Sequence, residues 1–134
     1  MTTSSYRWHT IRDTFEQIKC DQMPWVAIGN FLNDWWFFAV EQRHELIEQP
    51  LAPGKSSEMR RWAAFCAATV EWLCLQESVP CPAWTKQKRY NLSNPWFFYD
   101  DGDSRLWLMA TTPAPFKMRN IYGGDRMFNH VPHR

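Results

Sequence analysis

A chain of 134 residues has room for one domain and for a core that buries roughly two thirds of its surface without disulfide or metal support. Its 22% charged and 45% hydrophobic residues are ordinary globular chemistry, and a formal net charge of +1 argues against a general polyanion binder. Nine Trp and nine Phe mean either a core built of rings or rings that await a partner.

The charge is unevenly placed: four basic and seven acidic groups precede residue 55, six and three follow to residue 99, and five and four complete the chain. Cys20, Cys66, Cys74 and Cys81 have no C-x-x-C spacing and read as free, structural thiols of a reducing cytoplasm. Met1 to Ser5 has no basic start followed by an apolar run, so no signal peptide is expected.

In chain order, Thr3, Ser4 and Ser5 offer N-caps for a first helix to about Lys19, with Trp8, Ile11, Phe15 and Ile18 on one stripe. Pro24 suits the first turn of a second helix, expected from Trp25 to about Gln49, with Ile28, Phe31/Leu32, Trp35, Phe38/Ala39 and Leu46 at helical spacing. Asn30, Asn33, Asp34 and Glu41 gather on the opposing side. Trp35 and Trp36 point about 100° apart on a helix, so one enters the core and the other meets a further helix or a partner.

Residues 50–56 are rich in breakers. Ser56 or Ser57 then caps a central helix, and Glu58 suits its positive end. Trp62 to Leu75 is apolar almost all round, which marks a buried helix. At about 1.5 Å per residue it spans about 21 Å, short of the roughly 30 Å hydrocarbon core, and it carries Glu71. Residues 78–82 end it. The fold expected is a mainly α, single-domain helical bundle around this helix, helical over about 1–78.

Residues 79–134 are expected to be irregular or to carry a short β-hairpin. Trp96–Tyr99 and Arg105–Met109 flank an Asp-Gly turn and read as that hairpin, with a short helix after Ser104 as the alternative. Pro113 and Pro115 force an extended segment, and Gly123 and Gly124 permit positive φ.

Chemistry-bearing motifs are sparse. Glu41 and His44 have the Glu-x-x-His spacing of di-iron bundles, but no second copy exists, and Glu41, His44, Glu45 and Glu48 read as a solvated stripe. His9 and Asp13 read as a surface ion pair, and His130 and His133 complete no ligand set. No metal or cofactor is expected. No G-x-S-x-G signature appears, and burial of Cys66 and Cys74 would raise their pKa, so an enzyme is the third of three readings.

Three segments could bind. Trp84 to Tyr90 interleaves Lys86, Lys88 and Arg89 with two rings, which suits an acidic partner surface, single-stranded nucleic acid, or a plain loop with two anchoring aromatics. Arg119 and Arg126 flank a glycine-containing turn that could nest an anion. Asn30, Asn33 and Asp34 beside Trp36 and Phe37 offer amides for direction and rings for area, as in a specific protein contact.

Trp25–Trp35, Arg61–Glu71, Pro82–Trp84, Pro95–Phe97 and Thr112–Tyr122 together resemble a bacterial domain found alone or behind a helix-turn-helix module. That domain is similar to the antitoxin-side partner of small nucleotidyltransferase-type toxins. The resemblance spans roughly residues 23–128 and carries no catalytic role. It implies a component that captures a cognate protein, with a toxin encoded nearby as the partner. No helix-turn-helix precedes residue 23, which speaks against direct operator binding. Trp36 and Phe37 would then be anchors and Lys86, Lys88 and Arg89 an electrostatic patch. The runner-up is a nucleic-acid-associated regulator using residues 84–90 with Arg119 and Arg126, and a homodimer would also bury surplus rings.

Overall fold

The computed structural model describes residues 8–99 and 101–130. Its organising element is the central helix α4 (Ser57–Glu77), preceded by α1 (Ile11–Lys19), α2 (Pro24–Asn33) and α3 (Arg43–Ile47). The Ser56 side chain accepts the Met59 N–H at its start, and Ser78, in the left-handed region at φ 55°, sends its N–H to the Cys74 carbonyl at its end. Ala63–Val70, Leu73 and Cys74 are buried on it, so α4 is enclosed on nearly every side over its middle turns. Leu75 points outward instead, because α4 emerges from the core there.

The first helix is shorter than expected. Thr10, whose side chain accepts the Asp13 N–H, is the N-cap of α1, while Trp8 and His9 precede the helix. Thr3, Ser4 and Ser5 lie outside the described residues. Ile11, Phe15 and Ile18 are buried against α2 and α4 as their spacing predicts.

The second helix is not continuous to Gln49. After α2 the chain widens into a π-helical turn, Asp34–Phe38, in which the Ala39 N–H reaches the Asp34 carbonyl at 2.7 Å. Ala39 leaves helical backbone at φ −133°, and a 3₁₀ turn at Val40–Gln42 leads into α3. The widened ring keeps Trp35 on the buried stripe of Ile28, Phe31 and Leu32. It also brings Ala39, rather than Phe38, into the core.

The last third is more regular than expected. Asp101 accepts the Ser104 N–H and caps α5 (Gly102–Thr111), so the Asp-Gly pair starts a helix and no hairpin turn forms. Trp96–Phe97 (β1) pairs in parallel with Ile121–Tyr122 (β2), and α5 and α6 (Ala114–Lys117) make the crossover such pairing requires. Pro113 stands at φ −61°, ψ 149° as the N-cap of α6, and Pro115 lies inside that helix, so only the first of the two prolines is extended. Gly124 uses positive φ, at 82°, and so does Asn120, at 69°. One continuous hydrophobic core runs from Ile11 to Met127, and around Phe65 it is built of rings, with Trp25, Trp62 and Trp96 meeting it edge to face. Among the described residues, no helix is long and apolar enough to cross a membrane.

Candidate partner-binding surface

The segment after α2 sorts its side chains sharply. Asp34 is 1% exposed. Its carboxylate accepts both the His9 backbone N–H at 2.7 Å and a bond with His9 Nδ1 at 2.8 Å. It therefore ties the segment before α1 to the end of α2 and is not the outward directional contact its helical spacing implied. His9 correspondingly pairs with Asp34, not Asp13. Asn30 and Asn33 are half-buried on α2.

Trp35 is fully buried. Arg43 donates from Nε to the Trp35 carbonyl at 2.9 Å, lays its guanidinium 5.0 Å from a Trp35 ring centre, and reaches Glu77 at 3.6 Å. Trp36 is half-buried and packs on the core, so it is the weaker of the two expected anchors. Phe37 is 70% exposed and Phe38 53%, with Val40 also outside. A short apolar ridge thus stands on a turn whose two flanks are fixed by Asp34–His9 and Arg43–Trp35.

The basic segment folds as two 3₁₀ turns, Ala83–Lys86 and Lys88–Tyr90, with Trp84 and Tyr90 turned inward, 5.5 Å apart edge to face. Trp84 donates to the Ile47 carbonyl at 2.9 Å. The two rings are the anchors of a loop, which removes the stacking platform that a nucleic-acid reading of 84–90 requires. Lys86, Lys88 and Arg89 remain exposed. Arg89 bonds the Leu51 carbonyl at 3.0 Å and covers the Tyr90 ring, and Lys86 lies 3.6 Å from Glu71.

Arg119 is 3% exposed. It donates to Glu71 Oε1, the Pro115 carbonyl and the Thr85 carbonyl, each at 2.7 Å, and so joins α4, α6 and the basic loop. The nest expected with Arg126, which is exposed, is not assembled, because burial has committed Arg119 to Glu71.

His44 and Glu48 form an exposed pair at 3.4 Å within the solvated stripe. Among the described residues, no three His, Cys, Asp or Glu are grouped as metal ligands; His133 and the His130 side chain lie outside that description. Burial pushes the Cys66 and Cys74 thiols up to about 12, which keeps both protonated at neutral pH.

One apolar face was missed from the sequence. On α5 only Leu108 is buried, while Leu106, Trp107 and Met109 are exposed. Leu106 and Met109 stand one turn apart and share a face, while Trp107 points elsewhere, towards Gly124. Comparison with protein-family models, with curated proteins and with solved structures yields no match.

Proposed function

We propose that this chain is a protein-binding component, antitoxin-like or accessory, that captures a cognate protein in the cytoplasm. The observation that carries the reading is Phe37 at 70% exposure beside Phe38, on a π-helical turn held at both ends by part-buried hydrogen bonds. A large ring held out by a fixed backbone loses little conformational freedom on docking, which is how a few aromatic residues dominate an interface. π-Helical turns are also frequent at functional sites. In this reading Phe37 is the anchor, Trp36 supports it from below, Asn30 and Asn33 flank it, and Lys86, Lys88 and Arg89 steer an acidic partner. The sequence resemblance supplies the class of partner, a small toxin encoded nearby. Four free cysteines accord with the cytoplasm.

The test is a reconstituted complex with the protein retained by the tagged chain at moderate salt. Phe37→Ala is expected to weaken it by about 2 kcal/mol, roughly thirtyfold in Kd, with an unchanged melting temperature. Unchanged affinity would place the interface elsewhere.

A further inference from the structure

Two clefts adjoin at the amino-terminal half of α4, and neither belongs to the surface described above. One, of about 210 Å³, is walled by Trp25, Trp62, Trp96, Phe98 and Tyr99. Trp62 meets Trp25 and Trp96 edge to face, with ring centres 5.6 and 5.1 Å apart. The other, of about 170 Å³, is lined by Ser57, Arg60 and Arg61 from α4 and by Leu92, Ser93 and Asn94 from the approach to β1.

Two chain segments run along both, and Trp25 of α2 closes the aromatic one. Arg61 is followed by Trp62, and Asn94 is separated from Trp96 by Pro95 alone. Arg61 marks the boundary, with its guanidinium 5.7 Å from a Trp96 ring centre. A ligand seated here would meet rings at one end and two guanidinium groups at the other.

The electrostatics are one-sided. No carboxylate lines the polar cleft, and among the described residues neither Arg60 nor Arg61 forms an ion pair; the Arg60 guanidinium donates to the Ser57 hydroxyl at 3.4 Å. The Ser56 side chain takes the Met59 N–H in the first turn of α4, and the formal charge lining the cleft is that of the two guanidinium groups. Guanidinium forks match phosphate in geometry as well as in charge. The aromatic cleft opens to solvent and presents ring surfaces on which a planar heterocycle can rest.

We infer that this paired cleft binds a nucleotide, its base among Trp62, Trp96 and Tyr99 and its phosphate at Arg60 and Arg61. The same chemistry is offered by a free mononucleotide and by one residue of a single strand, where base stacking on aromatic side chains and phosphate contacts to Arg act together. The site shares no residue with the Phe37 surface, so failure of either reading leaves the other standing.

Calorimetric titration of the full chain with AMP, adenosine, inorganic phosphate and a single-stranded DNA hexamer tests it. AMP or the hexamer is expected to bind at least about tenfold more tightly than adenosine or phosphate. The double variant Arg60→Gln/Arg61→Gln should lower that affinity by about tenfold or more, and Tyr99→Ala should lower it too. Both Arg side chains are exposed, so the double variant is expected to melt with the wild type. A hexamer that binds more than about tenfold tighter than AMP identifies a strand as the source, and equal affinities identify the free nucleotide. Absence of AMP and hexamer binding at millimolar concentration would overturn the inference. So would binding indifferent to the Arg60/Arg61 replacements, or phosphate binding as tightly as AMP.

Discussion

Asp34 and Phe37 are three residues apart, and opposite environments set their roles. The Asp34 carboxylate is enclosed and bonded to His9, so Asp34→Ala leaves the His9 N–H without its acceptor and is expected to lower stability by about 2 kcal/mol in urea titration. Phe37 lies outside the core, and its truncation should change only binding. Trp36, half-buried on the core, should differ from both: Trp36→Ala is expected to lower the melting temperature, and a Trp36→Ala protein as stable as wild type would contradict its placement. Cys66 gives a test in pH. Its thiol ionises near 9.0 in the unfolded chain and near 12 in the fold, so the unfolded state releases protons first as pH rises. The stability contributed by the protonated, buried thiol is complete below pH 9.0 and is lost towards 12. The stability gap between wild type and Cys66→Ala should therefore narrow over that window, as followed by urea titration at stepped pH. The inward turn of Asp34 was not legible in the sequence. Its partner lies 25 positions away, and helical spacing alone put Asp34 on the polar side of α2.

Among the elements, α4 was the most legible, because its signals are local: Ser56 at the start, an apolar run through the middle, Ser78 and the prolines at the end. The break after α2 was hidden, since Trp35, Ala39 and Leu46 continue a helical rhythm across it, and the i→i+5 closure at Ala39 depends on where Trp35 and Arg43 settle. Of the two readings of residues 96–109, the hairpin fails for a different reason, and the helix after Ser104 forms, beginning two residues earlier. Asp-Gly serves equally as a hairpin turn and as an N-cap with its first helical residue, and the Leu, Met and Ala that follow favour the helix. Two changes probe how these elements are joined. Arg119→Met leaves Glu71 without its closest cation and frees two carbonyls, and is expected to destabilise by about 3 kcal/mol. Gly124→Ala forces an L side chain to φ 82° with its Cβ 3.1 Å from the Trp107 ring, and should cost about 1–2 kcal/mol. Melting curves that match wild type would show that neither joint holds the last third in place.

For the whole molecule, the ring surplus that composition announced divides in two. Phe15, Phe31, Trp35, Phe65 and Phe116 build the core, while Phe37, Phe38, Trp107 and Tyr99 remain outside it. Composition could pose that choice, but assigning each ring needed the packing of α1, α2 and α6 on α4. Of the residues expected at the site, Phe37, Lys86, Lys88 and Arg89 are exposed, whereas Asp34 and Arg119 are spent inside the fold. The central claim is that the Phe37 ridge is where a partner docks. It is tested most directly by placing a photo-crosslinking amino acid at position 37, and separately at exposed positions 12 and 106, in the source cells. One covalent adduct with one partner protein is expected from position 37, and none from position 12 or 106. Adducts from position 106 alone, or from position 37 only to a second copy of this chain, would contradict it.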